Sequence, residues 1–374
     1  MQLVIKKIIM HKNKIFIVFV LLIALAFTTK ALASFTLSSD AITGSGTSAV
    51  DVVSGYKQAG DLVFYVSPTN SSILVGEGAG VNLAAGGLQN TVLGYQALNS
   101  GTTSSYNTAI GYQALKVDIG LGYNVAVGHS SLKANISGTG NTAVGLQSLF
   151  SNTTGGNNVA LGYNANYANT EGNNNVGIGQ QSLRFNTTGN DNVALGYQSL
   201  LFNTAPTSTV AVGVEAGYGV NDTTNSQNNT FVGYQSGYAN TTGDNNILLG
   251  YKAGNNLTTG ANNIVIGYDI DSPTAANSNT LNIGNLIFAT GIDGTGTTLS
   301  AGNVGIGVAT PGASNLLDLA STTKGFVMPR MTKAQRDAIA TPVAGMQVYQ
   351  TDNTPGLRVY NGTNWMKFTE ATDI

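Results

Sequence analysis

The chain has 374 residues, 48 of them glycine, with no cysteine, 9% charged residues and a net charge of −2. That balance gives no electrostatic footprint for nucleic acid or an anionic membrane, and the missing thiol excludes disulfides, a thiolate nucleophile and zinc–thiolate sites. Abundant glycine beside 42% apolar residues points to a repetitive, turn-rich β protein held together by packing and backbone pairing.

At the N-terminus, Lys6, Lys7, Lys12 and Lys14 precede the apolar run "IFIVFVLLIALAF", and "TTKALAS" follows. This is the pattern of a signal peptide over 1–33, cleaved between Ala33 and Ser34 at the small-residue site. The apolar run is too short for a bilayer, which needs about 20 residues, so the mature chain is expected to be exported, secreted or at the cell surface, with no membrane span after cleavage. Residues 34–75 contain alternating runs such as "DLVFYVS" and read as a cap over the first repeat.

From 76 to 288 one unit recurs. Gly94, Gly111, Gly128, Gly145, Gly162, Gly179, Gly196 and Gly213 are 17 residues apart, Gly233 follows after 20, and Gly250, Gly267 and Gly284 resume the spacing of 17. Gly76 is a divergent copy 18 residues ahead of the series. A fixed period of this kind predicts a solenoid, in which no unit buries its apolar face alone. The expectation is an all-β, parallel β-solenoid (β-roll) of about twelve 17-residue coils, each with two short strands and two turns, rising about 4.8 Å per coil into a rod of roughly 55 Å.

Inside each unit the period is two. The fourth position is aliphatic (Leu93, Ile110, Val127, Val144, Leu161, Ile178, Leu195, Val212, Val232, Leu249, Ile266) and shares a face with the second. That face is expected to be the core. The third position is mostly Ala or Gly (Ala109, Ala126, Ala143, Ala160, Gly177, Ala194, Ala211) and predicts a flat outer side that another backbone can approach. Asn141, Asn158, Asn175 and Asn192 recur in register and predict a hydrogen-bonded ladder. A helical reading of "YQALNSG" fails because glycine and β-branched residues recur every few positions.

The cores "NTAIG", "NVAVG" and "NVALG" resemble the head repeats of trimeric autotransporter adhesins over about residues 72–288. The resemblance implies a left-handed parallel β-roll assembled as a homotrimer, with small residues at the protomer contacts. The unit here is longer than the commonest head repeat, and neither a heptad stalk nor a membrane barrel follows it.

Residues 289–312 are a Gly/Thr-rich connector, and 313–374 differ in kind. Thr332 with Gln335 forms a capping box that predicts a short helix over 333–339, and "MQVYQTD" and "LRVYNGTNWMKF" alternate like hairpin strands. This small α+β module, through "KGFVMPRMT", "AQRDAI" and "YNGTNW", resembles a C-terminal module of phage tail-fibre-like proteins and bacterial surface proteins. The resemblance implies a trimerisation or attachment piece.

Chemistry is sparse. His129 stands where other units have Tyr and reads as a surface residue. Asp118, Glu171, Asp191, Glu215, Asp222 and Asp244 fall at different points of the repeat and form no convergent carboxylate pair. "GEGAG" at 76–80 lacks the Lys-Ser/Thr of a nucleotide loop, the turns lack the Asp of calcium-binding nonapeptides, and 17 is no multiple of the hexapeptide period. No catalytic set, metal site or cofactor is therefore expected, and the chain reads as a non-enzyme. The column Tyr95, Tyr112, Tyr163, Tyr197, Tyr234, Tyr251 and Tyr268 has two readings, packing over the neighbouring glycines or a glycan-stacking strip.

The sequence thus predicts an exported fibrous surface protein, structural or adhesive, whose partners are itself, as a homotrimer, and a glycan or cell-surface receptor. The alternatives are a phage tail-fibre-like receptor-binding protein and, further off, a polysaccharide-active β-helix enzyme.

Overall fold

A computed structural model describes residues 56–58, 61–66, 71–83, 86–120, 122–220 and 225–368. The expected signal peptide, its cleavage pair Ala33 and Ser34, and Asp222 lie outside the described residues. The chain divides into two units, Met1–Thr154 and Gly155–Ile374.

In the first unit β1 (Tyr56–Gln58) and β2 (Asp61–Val66) are antiparallel, and β2 is antiparallel to β3 (Ile73–Val75). From β3 onward, β4 (Thr91–Leu93), β5 (Thr108–Ile110), β6 (Val125–Val127) and β7 (Thr142–Val144) pair in parallel, each with the equivalent residues one repeat on. The divergent Gly76 copy is therefore a true coil. In the second unit the same pairing joins β8 (Val159–Leu161), β9 (Val176–Ile178), β10 (Val193–Leu195), β11 (Val210–Val212), β12 (Thr230–Val232), β13 (Ile247–Leu249), β14 (Ile264–Ile266) and β15 (Thr280–Ile283). Antiparallel β16 (Ile287–Thr290) and β17 (Asn303–Ile306) follow, and β18 (Leu317–Leu319) pairs in parallel with β17. The fold is an all-β parallel β-solenoid with almost no helix.

Two details of the expected coil are corrected. Each coil holds one three-residue strand rather than two longer ones. The rest is an arc of turns, yet the arc still pairs between coils: the Gln113 N–H donates back to Tyr95 O at 2.8 Å, and the Leu115 N–H donates forward to Ser131 O at 2.9 Å. The arc bends because Gln113 and Leu115 both adopt positive φ, 54° and 52°. A residue without a β-branch tolerates that conformation far better than Val or Ile.

The second correction concerns the faces. The second position (Val, Ile or Thr) and the aliphatic fourth point outward, and the small third position points into the coil, where Ala109, Ala126, Ala143, Ala160, Ala194 and Ala211 are fully buried. The Ala/Gly side is thus the inner one, closed within its own coil. The reason is the coil's narrow bore. Leu98, Leu115, Leu132, Leu149, Leu183 and Leu200, supplied from the opposite arc, fill the space that the small strand residues leave. Burying each such leucine contributes about 1.5–3 kcal/mol.

Core volume shifts between the two sides. Where the strand centre is large, at Phe231 and Leu248, the leucine column switches to Gly217, Gly237 and Gly254. A Cβ on Gly237 would come within 2.6 Å of the Phe231 ring, and one on Gly254 within 2.9 Å of Leu248. These glycines keep the left-handed backbone of the leucines they replace, with φ of 57°, 62° and 59°.

The asparagine ladder forms within each unit. Asn175 Oδ1 accepts from the Asn192 N–H at 3.1 Å, while Asn175 Nδ2 donates to Gly189 O at 2.8 Å. Asn158, Asn192, Asn229 and Asn246 repeat this acceptance from the next coil. The side chains are fully buried or nearly so, and each satisfies backbone groups at the mouth of the strand that no strand partner reaches.

Candidate functional site

Three surfaces carry the features that a functional reading must use. The first is the outward strand face. In the second unit the fourth positions form one row of register partners: Leu161, Ile178, Leu195, Val212, Val232, Leu249, Ile266 and Ile283, continued across the antiparallel strands by Ile287, Ile306 and Leu319. A second row runs beside it from Val159 through Ile247 and Leu281 to Val304 and Leu317, with Thr230 and the buried Ala289 among its members. No charged residue interrupts either row. Leu249 is 43% exposed and Leu317 53%, unusual for aliphatic side chains repeated in register.

The second surface is the tyrosine column. All seven tyrosines are exposed, six of them between 38% and 44% and Tyr268 at 74%. Neither unit holds an unbroken strip, because His129 and Leu146 in the first and Gln180 and Val214 in the second take the tyrosine's place in the repeat. Tyr95 stacks on Tyr112 at 5.3 Å and Tyr112 on His129 at 4.8 Å. Tyr234, Tyr251 and Tyr268 form a second stack with centroids 5.2 and 4.9 Å apart and planes within 14° of parallel. Stacked rings turn their faces to each other and their edges to solvent. Tyr112 and Tyr251, each between two rings, have no face left for a sugar ring.

The third surface is the C-terminal module. Its sheet orders β19 (Arg330–Met331), β20 (Gln347–Gln350), β21 (Gly356–Tyr360) and β22 (Trp365–Lys367), with α1 (Lys333–Asp337) between the first two strands in sequence. The capping box is present: Thr332 Oγ1 accepts from the Gln335 N–H at 3.2 Å, and the Thr332 N–H donates to Gln335 Oε1 at 2.9 Å. The helix is shorter than expected and ends where the Ala338 and Ile339 N–H groups close the last turn. Two buried arginines converge on one amide, Arg336 Nη1 at 2.5 Å and Arg358 Nε at 3.0 Å from Gln350 Oε1. Hydrogen bonds from Lys333 and then Arg336 hold the exposed Asp337 carboxyl below its ordinary value. Phe326, Val327, Val343, Met366 and Phe368 remain exposed on this small module.

The acidic residues sit in different settings. Asp118 is fully buried in a second amide column, where the Ser104 hydroxyl donates to Oδ2 and Asn135 Nδ2 donates to Oδ1 at 2.8 Å. Burial pushes its carboxyl above the ordinary 3.8, against those hydrogen bonds. Glu171 and Asp191 are exposed on turns, and among the described residues no group of three or more His, Asp or Glu side chains is placed to hold a metal ion. Asn152, Asn186 and Asn240, glycan acceptors in form, have buried amides. Among the described residues no helix is long and apolar enough to cross a membrane.

Residues 305–374 match the family described as phage tail like trimerisation region. No curated protein and no solved structure matches the chain. The match begins within β17 and takes in β18, where the outward rows end, the module and its exposed apolar residues. Those rows are the feature missed in the sequence. The recurring Leu of "QAL" and "QSL" was the available signal, since a second apolar column in each coil competes for the same narrow core.

Proposed function

We propose that the protein is a self-trimerising fibrous structural element of the tail-fibre-like kind, in which a β-solenoid displays one repeated surface and the C-terminal module joins three copies. The observation that carries this reading is the match of residues 305–374 to a phage tail like trimerisation region, at the end of a solenoid built from repeated coils. The module's exposed Phe326, Val327, Met366 and Phe368 support it, because a small free-standing domain gains stability by burying such side chains between copies. Repetition also suits an adhesive role, since weak contacts at successive coils add through multivalency.

We further infer export, from the leader pattern over 1–33, and display at the cell surface. A phage tail fibre is the second reading, favoured by the description of the matched family. The test of the main reading is the native mass of the purified chain by light scattering. A chain of 38.4 kDa is expected to give three times that mass, less the leader if it is removed; a monomer at micromolar concentration overturns the proposal. Export is read separately, by N-terminal sequencing for a start at Ser34 and by protease accessibility on intact cells. Binding to a glycan array tests adhesion.

A further inference from the structure

Tyrosines of successive coils stand ring on ring in each unit. Tyr106 lies on Tyr123 with centroids 4.9 Å apart and planes 8° from parallel, and Tyr251 lies between Tyr234 at 5.2 Å and Tyr268 at 4.9 Å. We propose that these stacks are oxidative cross-linking sites, at which a one-electron oxidant joins neighbouring coils of one chain through a carbon–carbon bond between two tyrosine rings. The inference goes beyond the trimer reading and does not depend on it.

Three observations carry it. All five of these tyrosines are exposed, so a dissolved oxidant reaches them. From 76 to 288 the chain holds no cysteine, methionine or tryptophan, so an oxidising equivalent that arrives at the coils meets tyrosine rather than sulfur. Finally, the strands before Tyr234, Tyr251 and Tyr268 pair in parallel and in register, which sends the stacked side chains off the backbone in the same direction. Coupling then needs only a ring rotation of the kind exposed side chains make freely, and the held pair reacts as one molecule rather than by chance encounter. Each phenol gives up one electron and its hydroxyl proton, leaving two phenoxyl radicals with spin on the carbons beside the oxygen. Two such carbons form one C–C bond, and the hydrogens they carried move to the oxygens and restore both hydroxyls. With hydrogen peroxide as acceptor, through a haem peroxidase, the two electrons and two protons released turn one peroxide into two waters. The new bond spans one repeat of 17 residues between Tyr234 and Tyr251, and it constrains the unfolded chain as a disulfide does, in a protein that has no cysteine to make one.

The experiment treats the native full chain with a haem peroxidase and hydrogen peroxide, isolates the chains that run as single chains on a denaturing gel, and maps their peptides by mass spectrometry. Tyr163 and Tyr197 are the internal control: both are exposed, but Leu146, Gln180 and Val214 stand one repeat away from them in place of tyrosine. The expected result is Tyr251 linked to Tyr234 or Tyr268, with two hydrogens lost per link, at about tenfold or more the yield of any link at Tyr163 or Tyr197. Tyr251→Phe keeps the ring and its stacking but cannot form a phenoxyl radical, and it should lose those links while Tyr106–Tyr123 still couples. Links spread evenly over the exposed tyrosines, links found only between chains, or no link at Tyr251 overturn the proposal.

Discussion

Asn175 is held on both sides by neighbouring coils. Its Oδ1 takes the N–H of Asn192, and its Nδ2 supplies Gly189 O. Asn175→Ala leaves the buried Asn192 N–H unmatched, while Gly189 O keeps its bond from Asn186 Nδ2, so chemical denaturation should show a loss of about 1–3 kcal/mol. At Phe231 the expectation is a cavity. Phe231→Ala should cost about 3–5 kcal/mol, and Gly237→Leu in the same chain should recover part of it, because the column it rejoins already holds leucines at φ near 50°. An additive or worse double variant would refute the exchange of volume between strand and arc. Asp118 adds a pH dependence. Its folded pKa lies above the unfolded 3.8, so the native state binds the proton more tightly. Stability is then greatest below that value and falls as pH rises from 3.8 through the raised folded pKa. Asp118→Asn, the residue found elsewhere in this column, should flatten that fall and raise the melting temperature at neutral pH.

At the scale of the element, a coil pairs only with the coils beside it. Strand, arc and asparagine column all repeat at 17 residues, so deleting 176–192 joins Asn175 to Val193 and restores the "NVALG" motif at the seam. The shortened chain should fold with an unchanged circular dichroism shape and lower stability, as nearest-neighbour repeats do. Deleting only 176–184 destroys the register and should leave aggregated protein. The glycine after each strand enforces the same spacing. Gly196 has φ of 142°, and a Cβ there would lie 2.3 Å from Gly213 O, a contact with rigid backbone that no side chain can relieve.

For the whole molecule, the apolar rows and the C-terminal module make opposite demands on a single chain. The coils satisfy their backbone internally, yet leave leucine, isoleucine and valine in water along one face. The proposed trimer, joined through the module, would couple folding to association. Melting temperature should therefore rise with protein concentration, as mass action requires when folding and association are coupled; a melting point independent of concentration over a hundredfold range counts against it.

The repeat length, the parallel β-solenoid, the asparagine ladder and the capping box were legible in the sequence because each depends on spacing alone. A residue recurring at 17 must meet its own copy, whatever the coil's cross-section. Which strand face turns inward was not legible. In "VAL" both faces are compatible with burial, and alternation fixes only that they are opposite. The choice was made by the far side of the coil, where Leu183 and Leu200 occupy the bore and leave room for no more than alanine at Ala194. Only the tertiary structure carries that information, because the competition is between residues distant in the repeat for one narrow volume.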